Sequence, residues 1–168
     1  MDTITSSRRI DVERQVVIST QPFDRVMARL EAAIARPDMR AFARDVASSK
    51  TAAELARIVH NAVGASGLME TARFDVGQLL RKETGTSPPK VLRLVIGNPL
   101  LMKELVDHVP DAASYVPVTI LVDERPDGVH LSYDTVASVL APYGNPEATK
   151  IAEALDARVG ALLAAAAF

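Results

Sequence analysis

Val91-Leu92-Arg93-Leu94-Val95-Ile96-Gly97-Asn98-Pro99 is the stretch that decides the fold. Apart from Arg93, residues 91–96 are β-branched or leucine, the composition of an interior strand buried over most of both faces. Asn98 supplies a side-chain cap and Pro99 a first helical position, so the strand runs straight into a helix. That helix presents Leu101, Met102, Leu105 and Val106 and stops before Pro110. Downstream, residues 118–122 and 129–133 flank Pro126-Asp127-Gly128, whose turn formers predict an antiparallel hairpin. Ser132-Tyr133-Asp134 closes it, and Asp134 is placed to cap a helix through about Leu140, ahead of Pro142.

Upstream, residues 1–12 carry no periodicity and read as a flexible leader before a strand at 13–19, centred on Val16-Val17-Ile18. Pro22 suits a helix start, and Phe23, Val26, Met27, Leu30 and Ile34 then fall on one helical face. Arg36-Pro37-Asp38 breaks that helix. Residues 39–46 fit either a strand or a short helix. Thr51-Ala52-Ala53-Glu54 has capping-box spacing, with Leu55, Ile58, Val59 and Val63 as the buried face and Gly64 as a left-handed end. Residues 67–74 read as a strand, Asp75 as the cap of a helix at 76–82, and 85–89 as a loop. Asn145-Pro146 repeats the cap-and-start device for a C-terminal helix at 145–168, carrying Ile151, Leu155, Val159 and Leu162. Helices interleaved with strands and at least one hairpin predict one α+β domain at 13–168, two-layered, its mainly antiparallel sheet covered by helices.

Composition narrows the chemistry. The 168 residues, 48% apolar, suffice for one domain that buries roughly two-thirds of its unfolded surface. With no cysteine, there is no disulfide framework, thiolate metal site or cysteine nucleophile. A formal charge of −2 and a pI near 5.9 disfavour nucleic acid as a partner, because phosphate binding requires clustered Lys and Arg. The first twenty residues are interrupted by Asp2, Arg8, Arg9, Asp11, Glu13 and Arg14, unlike a signal peptide. The apolar tail at 161–168 is far short of the roughly 20 residues that span a bilayer. The expectation is a cytoplasmic protein with no membrane partner.

The order of these signals resembles the family designated domain of unknown function 302. Residues 74–134 carry the similarity most strongly, through Phe74-Asp75, Gly97-Asn98-Pro99, Pro110, Pro117 and Ser132-Tyr133-Asp134. Ser19-Thr20 with Phe23, Val26 and Leu30 resembles the family's opening strand and helix. Residues 37–67, with an extra helix, stand where the family has a short link, and the helix after Asn145 lies beyond the matched part. The resemblance implies an α+β fold with an antiparallel sheet, and a homodimer. It implies no substrate, cofactor or catalytic group.

Asp75, Asn98 and Asp134 sit at three strand-to-helix junctions, and with Tyr133 they form the candidate ligand-binding set, expected along one pocket edge. Capping is the simpler role, since two of the three caps are carboxylates that would repel an anion. His60, His108 and His130 show no convergent ligand spacing, so neither a metal nor another cofactor is expected. Ser132 and His130 share a strand face but lie about 6.5–7 Å apart along the backbone, too far for a direct nucleophile–base pair in most rotamers. They read instead as an exposed polar face opposite Val129, Leu131 and Tyr133. No phosphate loop, dinucleotide glycine motif or Gly-x-Ser-x-Gly turn is present. The five methionines are dispersed packing residues. The alanine-rich tail reads as a helix covering the core or a subunit interface.

Three functions remain open. The first is a non-catalytic, homodimeric binding or accessory protein for a small apolar or amphipathic ligand. The second is a small-molecule enzyme using Asp75 or Asp134 with Tyr133 or His130 in acid–base chemistry. The third is a structural interaction module built on the tail.

Overall fold

The computed structural model describes residues 5–84 and 88–168, with side chains at 83 and 84 left aside. The loop expected at 85–89 therefore falls partly outside the described residues, which resume at Pro88. Five strands, β1 (Arg14–Ser19), β2 (Met69–Asp75), β3 (Val91–Gly97), β4 (Val118–Arg125) and β5 (Gly128–Asp134), form one sheet in the order β1-β5-β4-β3-β2. Every neighbouring pair is antiparallel.

Because side chains alternate across a strand, the register sorts the sheet into two faces. One row runs Gln15, Tyr133, Ile120, Leu94, Arg73; its three central residues are almost wholly buried. The next row runs Val16, Ser132, Leu121, Arg93, Phe74 and lies on the opposite face, where Val16, Arg93 and Phe74 are exposed. The strand β3 is thus buried on one face only. Its Val91, Leu92 and Val95 are half-buried and Arg93 is exposed, so an apolar run that read as doubly covered belongs to a two-layer structure.

The helical layer comprises α1 (Phe23–Ala33), α5 (Pro99–His108), α6 (Val136–Leu140) and α7 (Pro146–Ala167), which pack on one another around the 22-residue α7. Phe23, Val26, Met27, Leu30 and Ile34 are all buried, as their spacing requires. On α7 the buried positions Ala148, Ala152, Leu155, Val159, Leu162, Leu163 and Ala166 recur at helical steps. The tail therefore covers the core: Leu163 is fully buried, while Ala161, Ala165 and Phe168 face outward. The Ser19 hydroxyl donates to the Ala167 carbonyl at 2.5 Å, tying the end of α7 to the end of β1.

Between α1 and β2 lie α2 (Met39–Ser48) and α3 (Ala52–Ala62), so the ambiguous residues 39–46 are helical. Asp38 caps α2 by accepting from the Arg40 and Ala41 amides. The capping box at α3 forms on one side, Glu54 N donating to Thr51 Oγ1, while the Glu54 carboxylate reaches back to the Lys50 amide. Gly64 is not left-handed. It is glycine because a Cβ there would stand 2.5 Å from the Ala33 carbonyl oxygen and 2.6 Å from the Ala35 nitrogen, and the left-handed turn falls at Gly67. The helix α4 (Val76–Thr84) runs two residues beyond its expected end. The hairpin strands also exceed expectation: Arg125 pairs with Gly128, leaving Pro126 and Asp127 as a two-residue turn.

Residues 5–13 precede β1 without regular structure, yet they hold contacts. Arg8 stacks over the Tyr143 ring at 4.2 Å, Ile10 packs against the core, and the Thr135 amide donates to the Glu13 carbonyl.

Candidate functional site

The four candidate residues do not converge. Asp75 pairs with Leu92 at one end of the sheet, whereas Asn98 follows Gly97, which pairs with Met69 at the other. Both act as caps. Asp75 Oδ1 accepts from the Gln78 amide at 2.8 Å while Arg81 holds its second oxygen, and Asn98 Oδ1 accepts from the Leu100 amide at 2.9 Å. Asn98 Nδ2 also donates to the Gly67 carbonyl, bracing the turn that leads into β2.

Tyr133 and Asp134 do come together, at a concave cleft of about 380 Å³ where β4 begins and β5 ends. Val118, Val136 and Val139 form an apolar floor, and Thr119, Leu121 and Ser132 rise from the sheet. Val12, Arg14, Ser114, Tyr115 and Asp134 complete the lining. Cross-strand register brings Arg14 opposite Asp134, and the guanidinium donates to both carboxylate oxygens at 2.6 and 2.8 Å. Hydrogen bonding from Arg14 holds the Asp134 carboxyl below the usual carboxylate range, outweighing desolvation. Arg14 in turn is pushed up by the same bond.

Asp134 is therefore not a helix cap. That role belongs to Asp156, in the middle of α7, whose carboxylate accepts from the Val136 amide at 2.8 Å and the Ala137 amide at 2.9 Å. Tyr133 Oη donates to the same carboxylate at 2.5 Å. Burial first, then the bond to Asp156, raises the Tyr133 phenol well above its ordinary value. A phenol so placed is a fixed neutral donor whose proton is committed to Asp156.

Ser132 and His130 are buried, at 8% and 6% exposure, so the exposed polar face expected of them is absent. Their strand lies second in the sheet, and flanking side chains from β1 and β4 shield what an edge strand would expose. His130 Nε2 lies 2.9 Å from Asp127 Oδ1 across the tight turn, and Nδ1 is buried without a partner. Beside it Asp123 is held by Arg125 at 2.6 Å. His60 and His108 are exposed on α3 and at the end of α5. Among the described residues no group of three or more His, Asp or Glu is arranged to hold a metal ion. No described helix is long and apolar enough to cross a membrane.

Sequence reasoning missed Arg14, Tyr115 and Asp156. Arg14 and Tyr115 carry no local signal, since only the register and the chain path bring them to the cleft. Asp156 does carry one: an acidic residue between Ala152 and Val159 on an otherwise apolar helical face must find partners when buried.

The family model described as "Domain of unknown function DUF302" matches residues 44–166. The match contains residues 74–134 and runs on through α7, which the sequence had placed beyond the resemblance; it begins after β1 and α1. The structure is similar to the crystal structure of an uncharacterized conserved DUF302 protein from Bacillus stearothermophilus, with a TM-score of 0.64 at 12% identity. The alignment covers 91% of this chain and 97% of that one, a likeness of fold. Among curated proteins none matches. The family match spans most of the chain and takes in the cleft residues from Ser114 to Val139, with Val12 and Arg14 lying before it, and by that span the chain belongs to the DUF302 family.

Proposed function

We propose that this protein is a non-catalytic, homodimeric binding protein of the cytoplasm that takes up a small amphipathic molecule in the cleft between β4, β5 and α6. The observation that carries the reading is the lining of that cleft: a valine floor beneath a rim bearing the Arg14–Asp134 pair and the Ser114, Tyr115 and Ser132 hydroxyls. Apolar walls with a few fixed polar groups are the usual make-up of a small-molecule site, and about 380 Å³ lies in the size range of such sites. Acid–base catalysis by Tyr133 is disfavoured, because its proton is committed to Asp156 and burial opposes its loss.

Calorimetric titration with decanoate, an amphipathic carboxylate, tests the reading. Saturable uptake at one site per chain is expected, and Ser114→Trp, which places an indole in the cleft from an exposed position, should remove it without changing the melting temperature. No binding by the wild type, or equal binding by the variant, would refute the assignment. Native mass spectrometry of the protein as purified checks for a retained molecule and subunit number together.

A further inference from the structure

We infer that Val12 is the residue that decides how long a molecule the cleft admits. This rests on the small-molecule reading above and names what limits it. Val12 is 52% exposed in the segment before β1, and a lone exposed valine is ordinary. Its position is not. Besides the cleft, Val12 lines a second hollow of about 410 Å³, bounded otherwise by Arg9, Asp11, Glu13, Ser138, Ala141 and Pro142. Among the described residues no other side chain is shared by the two, so Val12 is the partition between them.

The apolar floor continues past that partition. Val136, Val139 and Pro142 follow one another at three-residue steps along α6 and the single turn Ala141–Tyr143, and side chains so spaced fall on one face. The first two floor the cleft and the third lines the hollow. An apolar chain laid along the valines would therefore run on into the hollow but for Val12. The segment is fastened on both sides of this residue. The Glu13 amide donates to Ser138 Oγ at 3.0 Å, and the Glu13 carbonyl accepts from the Thr135 amide at 2.9 Å, which fixes the following residue to the start of α6. On the preceding side Ile10 packs against the core and Arg8 lies over the Tyr143 ring at 4.2 Å, a cation–π contact. Tyr143 is joined in turn to the cleft wall, a hydrogen bond with Tyr115 being the leading cause that pushes its phenol up to about 12. A partition held on both flanks sets a sharp limit, where a loose one would yield to a longer chain.

Calorimetric titration of the full chain with octanoate, decanoate, dodecanoate and tetradecanoate tests the inference, using the wild type, Val12→Ala, Val12→Gly and, as a control, Ile18→Ala. Wild-type affinity should rise about fourfold for each methylene buried, up to a limiting length, and then stop rising. In the two Val12 variants the rise should continue for two carbons more, so that the first chain beyond the wild-type limit binds about 15-fold tighter than it does to the wild type. Chains within that limit should bind the variants no tighter than the wild type. Ile18, as exposed as Val12 but outside both cavities, should leave the limit in place. No saturable binding of any of the four chains by the wild type would overturn the small-molecule reading and this inference with it. Wild-type affinity that climbs without a limit, the same limit in both Val12 variants, or a shifted limit in Ile18→Ala would overturn the partition alone.

Discussion

Tyr133, on β5, donates its phenolic hydrogen to the carboxylate of Asp156, 23 residues away in the middle of α7, at 2.5 Å. The same carboxylate caps α6 through the Val136 and Ala137 amides, so one buried acid joins sheet, short helix and long helix at the floor of the cleft. A five-residue helix has little stability of its own, and this cap arrives from outside its own sequence.

Replacing Asp156 with Ala should therefore cost about 3 kcal/mol, combining a lost helix cap with a buried tyrosine hydroxyl left unpaired. Asp156→Asn retains an acceptor oxygen and should cost roughly half as much. Equilibrium denaturation with urea measures both. A change under about 0.5 kcal/mol in the Ala variant, the level of ordinary surface substitutions, would contradict the role assigned to the carboxylate.

Alkaline pH should destabilise the fold through Tyr133. Its folded pKa is raised, so the unfolded chain releases the phenolic proton first; the contribution is complete below about pH 10 and is lost progressively above it. Tyrosinate absorbance at 295 nm should then show one of the three tyrosines ionising only as the chain unfolds. Tyr133→Phe should flatten the loss of melting temperature above pH 10, although it lowers the melting temperature at neutral pH.

Gly64 and Gly144 should respond differently to alanine. At Gly64 the new methyl would meet the backbone of residues 33–35 at 2.5–2.6 Å, and that backbone is held by bonds from Gly64 and Ala35 to the Leu68 carbonyl. A cost of about 2–3 kcal/mol is expected from overpacking. Gly144 has open space but φ of +63°, so only the left-handed conformation is penalised, by about 1 kcal/mol. Thermal melts of the two variants should rank in that order.

Removing residues 160–168 should cost at least about 4 kcal/mol, because Leu162 and Leu163 are both buried against the core. Phe168→Ser should cost almost nothing, its ring being 84% exposed. Matching melting temperatures for the truncated and full chains would show that the tail does not belong to the core.

The elements were legible where the cause is local. Asn98-Pro99 and Asn145-Pro146 start helices because a capping side chain and a fixed φ act within three residues. Phe23, Val26, Met27, Leu30 and Ile34 are buried because a 3.6-residue period leaves them one face. Pro126-Asp127 turns the chain because those residues favour tight turns. Local rules also misled. Asp134 has every feature of a cap, yet cross-strand pairing delivers Arg14 to it and gives the helix start to Asp156. The same residues 91–96 that promised a doubly buried strand have one face only half covered, because apolar composition reports a demand for burial and does not name what meets it.

By itself, then, the amino-acid order determined the strands and the helices other than α2, the antiparallel hairpin and the α+β class, since propensity, capping and hydrophobic period act over a few neighbouring residues. Tertiary structure alone decided that Asp75 and Asn98 stand at opposite ends of the sheet, that Arg14, Tyr115 and Asp134 share a cleft, and that one sheet face stays uncovered. Those outcomes depend on strand order and register, which couple residues more than a hundred positions apart and leave no trace in any short window.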